Sequence, residues 1–309
     1  APEIRRRGIR VIANAGGVNL PAGAAAIRAA RAEAGVELKV GIVEGDDLLP
    51  RAGELRGRGI REMFDGRPLP EKLASCNAYL GAFPIAAALD AGADIVVTGR
   101  VVDSAVTLGA LIHEFGWKRD AWDRLAAGTL AGHLIECGCQ ATGGNFTDWE
   151  RVADDWDRMG FPIAECRADG SFVITKPEGT GGLVCHSTVG EQMLYEIGDP
   201  RAYILPDVVC DFTSVTLTQI GPDRVEVKGA RGRAPTDQAK ASLTYADGFR
   251  AMSLFMIGGI DAGAKARRTG AAMLARMRRH CAARGWPDFT ESSVEAIGAE
   301  DTYGAQARL

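Results

Sequence analysis

Residues 94–105 read DIVVTGRVVDSA. The first five, Asp94–Thr98, are rich in β-branched side chains, too few for a helix, and bounded by a glycine, which marks a buried strand. A polar loop then leads to Asp103 and Ser104, both residues that favour a helix N-terminus, and to an apolar helical pattern reaching Phe115. The same strand–loop–helix format stands twice upstream. Ile9–Ala13 is followed by Asn14-Ala15-Gly16-Gly17-Val18-Asn19 and the alanine-rich helix Ala22–Ala34, and Leu38–Val43 ends in Glu44-Gly45-Asp46-Asp47. Short apolar strands alternating with helices predict an α/β fold with a doubly wound, mostly parallel sheet covered on both faces. Ligands gather at the carboxyl ends of strands in such sheets, so loops 14–19, 44–47 and 99–104 are expected at one edge.

Further along, helical patterns cover Glu71–Ala91, bent at Pro84, and Ala121–Glu136. A strand at Ser171–Thr175 precedes Pro177-Glu178-Gly179-Thr180-Gly181-Gly182 and a helix over Cys185–Ile197. From Tyr203 the pattern alternates, and Phe212–Ile220, a turn at Gly221-Pro222-Asp223 and Val225–Lys228 predict an antiparallel hairpin. Leu243–Tyr245 and Met252–Ile257 read as further strands, and Ala262–Arg284 as an amphipathic helix. These readings predict a Rossmann-like domain over 1–205 and a smaller α+β domain over 206–309. Glu3–Gly8 resembles the last turn of a helix closed by a glycine, which predicts a further β-α unit ahead of it.

The 309 residues, 46% hydrophobic and 25% charged, suit an ordinary globular protein. A net charge of −4 with interspersed signs gives no basic stripe for nucleic acid. Val11–Ile27 carries too many polar residues and glycines to cross a membrane, and no signal-peptide pattern follows the arginines at 5–7, so a cytoplasmic location is expected. Seven scattered cysteines in a chain of this size predict free thiols. The partner these features leave open is a small anionic substrate, and a homo-oligomer is compatible with them.

Five segments carry the candidate chemistry. Asn14, Gly16, Gly17 and Asn19 lie between strand and helix, where backbone N–H groups can face an anion; an ordinary βα turn capped by Asn19 is the alternative. Asp46 and Asp47 suit a Mg²⁺ site, a ribose contact or a general base, or simply cap the next turn. Arg100 has no obvious helix-face partner and suits a carboxylate or phosphate, while Asp103 either caps the helix after it or joins the catalytic carboxylates. His133, Glu136 and Cys137 fall at helical spacings of three and four, which suits a Cys–His dyad or a two-ligand metal platform. Against this, a thiol at a helix C-terminus meets the negative end of the dipole, and four histidines are few for a zinc site. The alternative is a packed histidine beside an inert cysteine. Thr142, Gly143 and Gly144 follow as a loop with N–H groups to offer, and Gly179, Thr180 and Gly181 form a second possible cradle or a plain connector.

Taken in order, NAGG (14–17), EGDD (44–47), TGRVVDSA (98–105), GHLIECGCQATGG (132–144), PEGTGG (177–182) and LPDVVCDFTSV (205–215) resemble the acyclic terpene utilisation family, AtuA type, over essentially the whole chain. Cys139 departs from the small residue expected there, which speaks against a role for it. The resemblance implies bacterial catabolism of acyclic isoprenoids such as citronellol and geraniol through acyl-CoA intermediates. On that footing the substrate is a branched acyl-CoA thioester or related acid, handled by a lyase, hydrolase or transferase, with an acyl-CoA-binding or assembly subunit as the non-catalytic alternative. It names no cofactor, and Mg²⁺ at Asp46/Asp47 stays open.

Overall fold

A computed structural model describes residues 2–17, 19–299 and 301–306 of the protein. Helix α1 (Pro2–Arg7) ends at Gly8, whose φ of +63° a glycine adopts without strain. There follow β1 (Val11–Ala13), α2 (Leu20–Glu33), β2 (Val40–Val43), the short α3 (Ala52–Gly57), β3 (Ser75–Ala78), α4 (Phe83–Asp90) and β4 (Ile95–Thr98). Strand β4 is the middle of a three-stranded sheet and pairs in parallel with β1 on one side and β2 on the other. The three strand-end loops therefore share one edge, as the sequence predicts. All four residues of β4 are buried. Successive side chains point to opposite faces: Ile95 and Val97 join Leu20 and Leu38 in one apolar cluster, and Val96 joins Val43, Ile85 and Leu89 in the other.

The helix expected over residues 71–91 is two elements. Ser75–Ala78 is a strand, and Pro84 sits in the first turn of α4, where its missing N–H costs nothing, so it begins a helix and does not bend one. The buried carboxylate of Asp207 holds that start, accepting the Ala82 N–H at 2.7 Å.

Helices α5 (Ala105–Phe115) and α6 (Trp122–Glu136) stack beyond α4. Ten consecutive residues of α6, Leu125–Leu134, are buried, so the helix is enclosed on all sides. Glycines permit this. A Cβ on Gly128 would stand 2.8 Å from Leu108 and Trp117, and one on Gly132 would stand 2.6 Å from the Ser104 carbonyl oxygen.

The remaining elements are β5 (Ile163–Cys166), β6 (Phe172–Thr175), α7 (His186–Leu194), β7 (Tyr203–Ile204), β8 (Val209–Asp211), β9 (Thr216–Gly221), β10 (Arg224–Lys228), β11 (Arg231–Arg233), β12 (Ala241–Thr244) and α8 (Ala262–Ala283). They give antiparallel sheets in the orders β5-β6-β10-β9, β11-β8-β7 and β12-β3. The predicted hairpin is β9–β10. Residues 252–257 form no strand. The chain divides into two compact units, Ala1–Ala246 and Asp247–Leu309. Residue 205 lies inside the first, since β6 before it pairs with β10 after it, and one apolar cluster runs from Val43 to Ala230. No described helix is long and apolar enough to cross a membrane.

Candidate functional site

The loop after β4 brings the first charged groups together. The Arg100 side chain donates to the Asp103 carboxylate at 3.0 Å and lies over the Tyr79 ring, 4.3 Å from its centroid. Lys240 approaches the same ring, with Nζ 5.3 Å from the centroid. Arg100 thus does have a side-chain partner, three residues on, which the sequence reading did not allow for. Asp103 does not cap α5; Ser104 holds the N-cap position, without a side-chain capping bond.

Gly132 presses its backbone against Ser104, so the neighbours of these two residues, Asp103 and His133, are brought into one region. His133 is 1% exposed. Its Nδ1 lies 3.1 Å from the Glu136 carboxylate, and its backbone carbonyl accepts from Gln192 at 2.9 Å. The buried His133 Nε2 and Gln192 Oε1 have no hydrogen-bond partner among the described residues, and neither does Arg100 Nε. Unpartnered buried polar atoms are costly and call for a reason. Tyr203 completes the cluster, its ring 6.1 Å from that of His133. Burial pushes the Tyr203 hydroxyl up to about 12, and the charges of Glu136 and Asp103 act in the same direction.

Cys137 is placed beside these groups but is not activated by them. Burial is the largest influence on its thiol and raises the pKa; a hydrogen bond with Gln192 opposes this, and the charges of Glu136, Glu196 and Asp103 raise it further. Arg100, committed to Asp103, does not supply the cation a thiolate would need. The side chain bonded to His133 is Glu136 at i+3, and no His133–Cys137 hydrogen bond forms among the described residues.

The other candidates are mostly occupied within the protein. Asn19 caps α2, accepting the Ala22 N–H at 3.0 Å, and the Gly16 N–H donates to Thr98 O. Asn14 and Gly17 stay exposed in that turn. The buried Asp46 carboxylate accepts from the Arg100 N–H at 2.8 Å and the Asn77 amide at 2.9 Å, against Gly99, where no Cβ would fit. Asp47 is exposed and accepts the Leu49 N–H in an Asx turn. Among the described residues no three acidic, His or Cys side chains are grouped to hold a metal ion. Thr142 donates to the carbonyls of Cys139 and Gly160, and the Gly143 and Gly144 N–H groups donate to Gln140 O and Cys139 O. In the second loop the Thr180 and Gly181 N–H groups are taken by Pro177 O and Arg158 O, and Gly179 makes the turn at φ +75°. A cleft of about 230 Å³ lies elsewhere, lined by Asp123, Ser171, Lys228 and Arg231 among others.

A family model described as acyclic terpene utilisation family protein AtuA matches residues 1–308. The chain belongs to the AtuA family. No curated protein and no solved structure matches it. In this AtuA member the motif positions sort into two groups. Arg100 pairs with Asp103 and His133 with Glu136, whereas the Asp46 carboxylate and the N–H groups of Gly16, Gly143, Gly144 and Gly181 are engaged in shaping their own loops. Tyr79, Gln192, Tyr203 and Lys240 come from segments where no motif marks them. Only the alternation beginning at Tyr203 hinted at a strand there.

Proposed function

We propose that this AtuA protein acts in acyclic terpene catabolism on a branched acyl-CoA or the related acid, and that His133 is its acid–base group. The observation that carries the reading is the pair formed by Nδ1 of the buried His133 and Oε1 of the half-buried Glu136, 3.1 Å apart, with His133 Nε2 unpartnered among the described residues. A carboxylate on one ring nitrogen fixes the tautomer and orientation of an imidazole and leaves the other nitrogen for the substrate. Nε2 takes a proton from the carbon next to the thioester carbonyl, and the electron pair moves to the carbonyl oxygen. Arg100 and Lys240, both at the Tyr79 ring, hold the anionic end of the substrate. Lyase chemistry is favoured over a thiol-dependent hydrolase or transferase, because the Cys137 thiol is held protonated. On this reading the parallel sheet is the centre of a doubly wound, Rossmann-like layer in a cytoplasmic protein.

The second reading is an acyl-CoA-binding or assembly subunit without turnover. It draws support from the near-complete burial of His133 and from the 230 Å³ cleft lying elsewhere. Incubation with branched acyl-CoA thioesters in deuterated water separates the two. Deuterium uptake at the α carbon supports catalysis, and binding without uptake or product supports the subunit.

A further inference from the structure

Gln192 is a buried polar side chain that its own helix does not satisfy. The buried residues of α7 are Thr188, Val189 and Gln192, spaced so that they share one face. Thr188 is engaged at the helix start, where its hydroxyl accepts from the Cys185 N–H and donates to the Cys185 carbonyl. Gln192 is fully buried, yet only one end of its amide is used. Nε2 donates to the His133 carbonyl at 2.9 Å, while Oε1 has no partner among the described residues. A methionine of similar length would fill the same space without an unpaired acceptor, so packing alone does not account for a glutamine there.

The bond goes to a carbonyl that the helix leaves free. His133 lies in the last turn of α6, whose final carbonyls find no N–H further along the helix. Glu136 holds the imidazole at Nδ1, but it belongs to the same turn and moves with it. Gln192 instead comes from another helix, 59 residues on in sequence. It also hydrogen-bonds the side chain of Cys137, where α6 ends. We propose that Gln192 is a positioning residue for His133: it fixes the last turn of α6 against α7, and with it the place where His133 Nε2 meets the substrate. The proposal rests on the reading of His133 as the acid–base group. A misplacement of about 1 Å costs on the order of a hundredfold in rate, so one hydrogen bond that sets the turn is enough to matter.

Gln192→Met and Gln192→Leu test this in the full chain. Each removes the unpaired Oε1 and leaves the His133 carbonyl unpaired in its place, so the two effects offset and the melting temperature should stay close to that of wild type. Deuterium uptake into a branched acyl-CoA thioester should fall by about ten- to a hundredfold at saturating thioester, with the half-saturating concentration unchanged. A residue that only holds the fold together gives the opposite pattern. If both variants melt far below wild type or do not fold, or if they fold and take up deuterium as fast as wild type, the proposal is overturned. Nitrogen-15 NMR of the histidine rings reads the positioning without turnover. His133, identified among the four histidines by its loss in His133→Gln, should give one sharp set of ring signals in wild type and a broadened or doubled set in the variants. No uptake by the wild-type protein refutes the acid–base reading alone. The ring signals then decide, and an unchanged His133 ring in both variants overturns the positioning role.

Discussion

At the level of single residues, the environment decides between two nucleophile-capable groups set four residues apart. Cys137 sits at the end of α6, where burial and three carboxylates disfavour the thiolate. Iodoacetamide at pH 7.5 should therefore alkylate Cys137 more slowly than a free thiol, and Cys137→Ala should keep full activity; fast labelling that His133→Ala abolishes would reinstate the dyad. Arg100 is placed to meet an anion but is already balanced by Asp103, 47% exposed at its side chain. Such a partly exposed ion pair stabilises by about 0–1 kcal/mol, so Arg100→Ala should leave the melting temperature nearly unchanged. Loss of a charge-assisted hydrogen bond to a carboxylate or CoA ligand should weaken binding by about 1.5–3 kcal/mol, measured by calorimetry. A large fall in melting temperature with unchanged affinity would make Arg100 structural. The sequence offered Arg100, His133 and Glu136 because charged residues beside glycines in strand-end loops, or at helical spacing, are local patterns. It could not offer Tyr79, Gln192 or Lys240, whose roles arise from contacts between distant segments.

Between residues and the whole chain, elements are fixed by details that periodicity does not report. The helical pattern over 71–91 hides a strand because Cys76 and Ala78 alternate buried with their neighbours and pair with β12, more than 160 residues away. Pro84 was legible, but only as a break; what makes it a start is Asp207, delivered from the LPDVV segment to the first N–H groups of α4. Asp207→Ala leaves those buried donors without an acceptor and should cost about 1–3 kcal/mol, read by urea denaturation, whereas Asp207→Asn keeps an acceptor and should cost less. Burial raises the Asp207 pKa above its ordinary carboxylate value. The folded state then holds this proton to higher pH than the unfolded chain, so this group's contribution is fully present below the unfolded value. It declines as pH rises through the folded value. Asp207→Asn should flatten that part of the stability–pH curve, and an unchanged curve would contradict the assignment.

For the molecule as a whole, the parallel sheet was readable because β1, β2 and β4 each carry a local strand–loop–helix signature, and their pairing follows from it. The division of the chain was not readable, because the change of texture near residue 205 marks a change from parallel to antiparallel pairing inside one core. Residues 2–246 should accordingly give a cooperative melting transition, while 2–205, which lacks β10 and the Asp207 cap, should be unfolded by circular dichroism and open to protease; a stable 2–205 would restore the earlier boundary. The central claim concerns His133, and α-proton exchange addresses it most directly. Wild-type protein, Cys137→Ala and His133→Gln are each incubated with a branched acyl-CoA thioester in deuterated water, and deuterium at the α carbon is followed by mass spectrometry. Uptake in wild type and Cys137→Ala, reduced by at least about a hundredfold in a folded His133→Gln, is the predicted result for loss of a general base. Equal uptake in His133→Gln and wild type, or none in any of the three, contradicts it.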